Sequence, residues 1–249
     1  AINAGIAPKF SDPYSYGQGT NWQDEVFNNN APMMNHQVSV SGASEKVNYL
    51  FSLGFYTQDG IVGGNFDRSN YERLTLRSNT QYTLFDESKE RNWLNSLKVT
   101  SNLSYARIKS TNFDDNSTWG TPLGSALALS PILNVYDETE EAIKAQFDKY
   151  GTTAEYTPVY DPRNGKLFSI PGEFGEMSNP IAKLSLPGDK HWSHKFVANF
   201  SAELQLWDNQ KFKTSYGADL SFWGYDGYRP LYYLRSGESS TQSSAYSRK

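Results

Sequence analysis

The stretch from Val47 to Phe55 reads VNYLFSLGF and alternates between two kinds of side chain. Every second residue is apolar, and the residues between them are polar or small, with Leu50 as the exception. A period of two places successive side chains on opposite faces of a β-strand. The stretch is therefore predicted to be a strand with one apolar face and one polar face.

The same alternation occurs in five further segments. Val38 and Val40 alternate with polar residues, and the polar turn 42–46 joins them to Val47 as a hairpin. The other alternating segments are 71–84, 93–105, 195–206 and 212–222. Several of the six strands span about 12 to 15 residues, whereas strands of globular proteins usually have about 5 or 6. A strand that crosses a bilayer needs about 9 to 11 residues in the hydrocarbon and can continue beyond it, which would explain the excess length.

The connections between these strands alternate between short and long. The short ones are 42–46, the turn after Phe85 and the turn 208–210, and the long ones are 59–70, 109–191 and the residues from 226 onward. Short and long connections therefore lie at opposite ends of the sheet. Outer-membrane barrels have short periplasmic turns and long extracellular loops. One helix is predicted in the longest loop, from Asp137 as its cap to Tyr150.

The amino-acid composition is typical of a sheet with one apolar face and one polar, water-facing face. Aromatic residues make up 15% of the chain, yet its mean hydropathy is -0.66. The chain lacks the ~18 consecutive apolar residues that define a membrane-spanning helix. A net charge of -4 makes nucleic acid an unexpected partner, and the absence of cysteine excludes disulfides and thiolate metal sites. The first ten residues do not resemble a signal peptide, which indicates a mature or internal start.

The sequence gives little evidence for a catalytic site or a metal-binding site. His191 and His194 are three residues apart, so a strand would place them on opposite faces, and neither has a further histidine nearby to complete a site. The run 114–116 resembles a calcium loop but lacks the glycine and the glutamate that such a loop requires. We therefore expect neither a metal nor another cofactor, and we expect that the chain is not an enzyme.

Aromatic residues of the long connections are the candidates for contact with a substrate or a partner. An exposed ring can stack on a sugar or on a peptide side chain, but it can equally pack loops together or form an interfacial girdle. The candidates are Trp119, Tyr160, Tyr225, Tyr228 and Tyr232.

Short blocks spread over residues 20–225 carry a family resemblance. They are TNWQDEVF (20–27), APM (31–33), VSVSG (38–42), QDGI (58–61), YER (71–73), VYD (135–137) and NPIA (179–182). In order and spacing, these blocks resemble the SusC/RagA group of TonB-dependent transporters. The first blocks are the most specific to this group.

The resemblance implies a bacterial outer-membrane protein with a barrel of 22 strands and an N-terminal plug. It also implies energy from TonB, a SusD-like surface lipoprotein as partner, and import of oligosaccharides or peptides. Six strands cannot close such a barrel, and no plug is recognisable, so the chain is expected to be a segment of the whole transporter. We expect a lead-in segment at 1–34, a partial barrel at 35–225 that contains the extracellular loop 109–191, and a truncated extracellular loop at 226–249.

A soluble β-sandwich that binds carbohydrate or protein is the alternative, because alternating strands can also face a protein core. The two hypotheses differ in what surrounds Phe51, Leu103 and Phe200. These side chains contact lipid in a barrel, and they lie in the closed interior of a sandwich.

Overall fold

A computed structural model describes residues 12–85, 93–113, 120–137, 139–150, 156–171, 177–207, 210–235 and 238–249. These ranges contain both strands and helices. The strands are β1 Met33–Ala43, β2 Val47–Asp59, β3 Asn70–Phe85, β4 Leu94–Asn112, β5 Tyr136–Asp137, β6 Leu167–Phe168, β7 Asp189–Leu206, β8 Gln210–Arg229, β9 Tyr232–Arg235, β10 Glu238–Ser240 and β11 Ser244–Arg248. The helices are a 3-10 helix Pro13–Tyr16, then α1 Trp22–Val26, α2 Pro122–Ala128, α3 Glu140–Tyr150 and α4 Pro180–Ser185. None of the described helices combines the length and the apolar character that crossing a membrane requires.

One antiparallel sheet dominates the described residues. Its seven strands follow the order β1-β2-β3-β4-β7-β8-β11, so each strand pairs with the next long strand of the chain. The strand ends that are joined by the connections 44–46, 86–93 and 207–209 lie at one end of this sheet, which we call the short-turn end. The strand ends that are joined by the connections 60–69, 113–188 and 230–243 lie at the other end, the long-loop end. The predicted alternation of short and long connections therefore corresponds to the observed topology.

The six predicted strands are present, and the structure adds a seventh. Residues 226–249 were expected to be a loop, but β8 continues to Arg229, and Ser244–Arg248 returns to pair with it. The segment SAYSR has too few apolar residues to show alternation, which is why the sequence did not indicate this strand. The loop expected at 109–191 is also shorter, because β4 and β7 remain paired as far as Asn112 and Asp189. Polar residues occupy both faces there, so periodicity no longer marks the strand.

The two faces of the sheet differ in polarity over its whole width. Cross-strand pairing puts Val40, Phe51 and Ser78 on one face, together with Leu103 and its neighbour Ala198. We call this the apolar face. The polar face carries Ser39, Ser52, Arg77, Ser104 and the residues that pair with them. Exposed side chains on the apolar face include Val38, Val40, Phe51, Leu53, Leu76, Leu103, Phe196, Phe200, Phe212, Leu220 and Phe222.

No protein covers the apolar face in the part of the chain that the structure describes. Phe51 is 51% exposed, Leu103 41% and Phe200 44%. A β-sandwich would bury these rings and chains against a second sheet. The sandwich alternative is therefore wrong for the described residues.

The apolar face forms a band of limited height. In β4 the band runs from Leu97 to Tyr105, and Arg107 follows on the same face. In β8 it runs from Phe212 to Phe222, and Asp226 lies on the same face further along. These spans of nine and eleven residues match the ~9 to 11 residues that a tilted strand needs to cross the hydrocarbon of a bilayer.

The protein core lies in the long connections and not against the sheet. Buried apolar residues from the lead-in segment, from 60–69, from 113–188 and from 230–243 pack into one cluster, which we call the loop cluster. Its members are Trp22, Val26, Val62, Ala126, Leu129, Phe168, Met177, Ile181, Ala182, Leu184 and Leu234. Trp22 also donates a hydrogen bond from Nε1 to the carbonyl of Ser130 at 3.0 Å. Four segments that are distant in sequence therefore form a single folded unit at the long-loop end.

Two of the helices in this unit begin with a capping residue followed by a proline. The side chain of Thr121 accepts a hydrogen bond from the Gly124 amide ahead of α2, and Pro122 opens that helix. Asn179 caps α4 in the same way and is followed by Pro180. The predicted helix begins later than expected, at Glu140, because Asp137 pairs in β5 with Leu167 and does not act as its cap.

Leu129→Ala is expected to loosen the loop cluster, whereas Leu127→Ala is not. Leu129 is buried in the cluster, and truncation of a buried leucine costs about 2–5 kcal/mol. Leu127 is 73% exposed, two positions away, so its truncation should change stability by less than about 0.5 kcal/mol. Protease sensitivity of residues 120–190 in the intact protein measures the difference. Equal sensitivity of the two variants would show that the cluster is not a cooperative core.

Candidate functional site

A cavity of about 780 Å³ lies between the polar face and the loop cluster. Residues from β4, β7, β8 and β11 line it on the sheet side, and residues of the connections line it on the other side. The lining residues are Arg68, Ser69, Asn112, Phe113, Lys183, Leu186, Pro187, Gly188, Asp189, His191, Tyr228, Arg229, Pro230, Tyr232 and Tyr246. The cavity is thus formed where the strands end and the folded loops begin.

The sheet residues of the cavity occupy the polar face, except Tyr228, whose position in β8 belongs to the apolar face. Asn112 pairs with Asp189, and His191 pairs with Tyr225, which in turn pairs with Arg248. Tyr246 and Arg229 follow by the same alternation. The sheet side of the cavity therefore continues the surface that carries Arg73 and Arg77.

Arg68 is a partly buried cation in the lining of the cavity. Burial lowers the pKa of its guanidinium, and the nearby carboxylates of Asp189 and Asp67 only partly oppose this effect. Its Nε is buried and has no hydrogen-bond partner in the described part of the chain. Gly188 makes room for this side chain, since a Cβ there would lie 2.7 Å from Nη2 of Arg68.

The carboxylates near the cavity are engaged with other groups. Asp189 accepts a hydrogen bond from the hydroxyl of Tyr246 at 2.5 Å. Glu238, behind the lining, forms a salt bridge with Lys183 at 2.7 Å and another with Arg235 at 3.4 Å. Burial and the charge of Glu238 raise the pKa of Tyr232, which keeps its phenol protonated. Each of these contacts fixes a side chain of the cavity wall.

The structure brings three of the five predicted aromatic residues to this region. Tyr228 and Tyr232 line the cavity, and Tyr225 packs against His191 and Tyr246 with ring centroids 5.6 and 6.1 Å apart. Tyr232 also packs against the loop cluster, as the alternative structural role suggested.

The other two predicted aromatic residues are not part of this cavity. Tyr160 does not line it; its hydroxyl contacts the carboxylate of Glu140. Trp119 lies outside the described residues. Contact of any of the five with a ligand or a partner stays a prediction.

The cationic residues of the cavity were missed by sequence reasoning. Arg68, Lys183 and Arg229 come from three separate connections or strand ends, and no spacing links them. Of these three residues, only Arg229 could have been predicted from the sequence. Extending the alternation of β8 to residue 229 places Arg229 on the polar face.

The two histidines of β7 lie on opposite faces, as predicted. His191 belongs to the polar face, and His194 belongs to the apolar face, where its Nδ1 lies 2.8 Å from the hydroxyl of Tyr105. In the described ranges, no three side chains of the metal-binding types converge on one point.

A second group of polar and charged side chains links the longest connection, 113–188, to the connection 60–69 between β2 and β3. Asp161 is fully buried and forms a salt bridge with Arg163 at 2.7 Å. Arg163 also donates a hydrogen bond to the carbonyl of Gly64 at 2.8 Å and stacks on Phe66 at 3.8 Å from the ring centroid. Tyr136 donates to Asp161 at 2.7 Å. This arrangement acts as a polar latch between two loops of the cluster.

An antiparallel sheet with an uncovered apolar band defines a protein that spans a membrane with strands. In hydrocarbon, every backbone polar group must be satisfied within the protein, and adjacent paired strands achieve this. The short turns at one end and the folded long loops at the other are typical of outer-membrane barrels.

Comparisons with known proteins agree with this class. Over 193 residues the chain is 29% identical to the TonB-dependent receptor SusC of Bacteroides thetaiotaomicron. The aligned region covers 75% of this chain and 16% of that receptor. The chain is 30% identical over 200 residues to the TonB-dependent receptor P26 of Formosa agariphila, covering 80% of the chain and 16% of the receptor. No protein-family model matches the chain.

Solved structures show the same fold. The RagAB peptide transporter aligns with a TM-score of 0.57 and 20% identity over 86% of this chain and 20% of the other. The RagAB peptide importer in its open-open state gives a TM-score of 0.58 at 18% identity, with the same coverage. The chain is similar in sequence and in fold to the SusC/RagA type of TonB-dependent receptors, which are proteins of the bacterial outer membrane. It spans about one sixth of the length of the curated relatives it matches. Those relatives are named as receptors and not as enzymes.

The polar latch is expected to weaken at low pH. Burial alone would raise the pKa of Asp161, but hydrogen bonds from Arg163 and Tyr136 outweigh it and lower the pKa to about 2. Because the folded pKa lies below the ordinary value of 3.8, the contribution is present at neutral pH and is lost as the pH falls from about 4 to about 2. Hydrogen exchange of amides 161–168, corrected for its intrinsic pH dependence, measures this loss.

Asp161→Asn is the matched variant for the latch. It should reduce the protection of these amides at pH 7 by about 1–3 kcal/mol, because Arg163 and Tyr136 lose a charged acceptor in the buried Asp161. It should also remove the pH dependence below pH 4. Protection equal to that of the unmodified chain would contradict the latch.

Proposed function

We propose that the chain forms part of the barrel wall and external loops of a TonB-dependent importer of oligosaccharides or peptides. The observation that carries this proposal is the uncovered apolar band, whose height of nine to eleven residues suits the hydrocarbon of a membrane. A soluble binding protein is not expected to expose such a band, because a contiguous exposed apolar surface of this size promotes aggregation in water.

The polar face fits the lumen of the proposed importer. It carries charged and amide side chains along the whole sheet, including Arg73, Arg77, Asn79 and Asn102. Polar residues that face inward hydrate the path of a water-soluble substrate, while the apolar residues of the same strands meet lipid.

The partners of the importer follow from the similarity and from the position of the loop cluster. SusC and P26 are named TonB-dependent receptors, and RagAB is named a peptide importer. We extend these properties to this protein as proposals: energy from TonB through other parts of the receptor, and a SusD-like lipoprotein above the loops. The folded loop cluster at the long-loop end offers such a lipoprotein a preformed surface.

Deletion of the gene that encodes the whole receptor tests the import of nutrients. Cells with and without the receptor are incubated with a mixed digest of oligosaccharides and peptides, and the loss of each compound from the medium is followed. We expect the deletion strain to leave a subset of the compounds in the medium. A strain without TonB should also leave this subset in the medium, because import through the receptor requires TonB. Depletion of every compound at the rate of the parent strain would refute the proposal.

Phe200→Arg is expected to prevent stable insertion of the full-length receptor, and Asn199→Arg is the matched control. Phe200 lies at the centre of the apolar band, where an arginine costs about 2–4 kcal/mol in a barrel strand. Asn199 is the adjacent residue on the polar face. Heat-modifiable mobility of the receptor in outer-membrane fractions reports the folded fraction. Equal folded fractions for the two variants would show that the apolar face does not meet lipid.

A further inference from the structure

The polar face is basic although the chain as a whole is acidic. The net charge of the chain is -4. By register, the cations on the polar face are Arg73, Arg77, Lys98, Lys195, Lys211, Lys213, Arg229 and Arg248, and the carboxylates are Asp189, Glu203 and Asp219. Eight cations against three carboxylates give this face a positive field. A surface lined by one sign of charge concentrates ligands of the opposite sign.

The cavity lies at the long-loop end of this basic face, and its lining carries more cations than carboxylates. Its lining includes three cations, Arg68, Lys183 and Arg229, and one carboxylate, Asp189. Glu238 neutralises Lys183 from behind, and Asp67 lies near Arg68. In the ranges that the structure describes, neither Arg68 nor Arg229 forms a salt bridge, so two guanidinium groups remain available.

The Nε of Arg68 is buried and has no hydrogen-bond partner in the described part of the chain, and Arg68 lines the cavity. Buried polar atoms almost always have a hydrogen-bond partner, and the exceptions need an explanation. Arginine presents several donors in a plane, and this arrangement matches the two oxygens of a carboxylate. Tyr232 and Tyr246 add aromatic surface beside these donors, which suits a ring or a chain that carries the acid.

We propose that this cavity binds a carboxylate group of the transported substrate, with Arg68 and Arg229 as its cationic partners. The inference rests on the proposed import function and specifies the substrate class as acidic. The carboxylate can belong to a uronic acid of an oligosaccharide or to an acidic residue of a peptide. The basic polar face then accepts the same substrate beyond the cavity.

Binding to the purified full-length receptor in detergent tests the proposal. The probes are a trisaccharide of galacturonic acid and its neutral methyl ester, and a pentapeptide with two glutamates and its counterpart with two glutamines. Isothermal titration calorimetry at low and at 0.5 M salt measures their affinities. We expect at least one acidic probe to bind at least ~10-fold more tightly than its neutral counterpart, and salt to reduce this preference.

Arg68→Gln combined with Arg229→Gln should abolish the preference, which corresponds to a loss of ~10-fold or more for the acidic probe. Arg68→Lys retains the charge and should retain part of the preference. Lys46→Gln removes one cation from the turn between β1 and β2, far from the cavity, and should change nothing. Near-native mobility of all variants in the folding assay shows that the losses are local.

The outcomes distinguish the proposal of a carboxylate site in the cavity from the proposal of an import function. Preference for the trisaccharide assigns the carboxylate to a sugar, preference for the peptide assigns it to an amino-acid residue, and either result supports the site. Equal affinities within both pairs, or an unchanged preference in the double variant, overturn the site and leave the import function standing. If the deletion strain depletes the mixed digest as fast as its parent, the import function itself fails.

Discussion

The structure depends on the placement of apolar side chains on a sheet face that no protein element covers. In water, a band that contains Phe51, Phe200 and Leu220 would expose a large hydrophobic surface, and the sheet would aggregate or acquire a second layer. In hydrocarbon the same band is favourable, because each strand satisfies its backbone hydrogen bonds with its neighbours. The height of the band, the long strands and the opposite polar face are all consequences of this one constraint.

The loop cluster solves a different physical problem at the end of the sheet. Long connections lose considerable conformational entropy when they are ordered, and they need buried contacts to offset that loss. Trp22, Leu129 and Leu234, contributed by three separate segments, provide such contacts in one core. The latch of Asp161 and Arg163 adds a polar link between two of the connections. The loops therefore form a folded surface, and their position at the long-loop end suits recognition of a ligand or a partner.

The cavity exists because these two parts meet. The strands contribute polar-face residues such as Asp189 and Arg229, and the loops contribute Arg68 and Lys183. Neither set would form a binding site alone, since the sheet is open and the loops have no rigid base without it. The charge of the cavity then continues along the polar face, so the proposed carboxylate site adjoins the proposed path of the substrate.

By itself, the sequence determined the strands, their faces and the order of short and long connections, because each of these depends on a local period of two and on turn residues close in the chain. It also carried the family resemblance. Only the tertiary structure decided that Ser244–Arg248 adds a seventh strand, that Trp22 packs with Leu129 and Leu234, and that Arg68 reaches a cavity beside Arg229. These features join residues that are far apart in sequence, and their contacts depend on the three-dimensional path of the loops, which leaves no periodic signal along the chain.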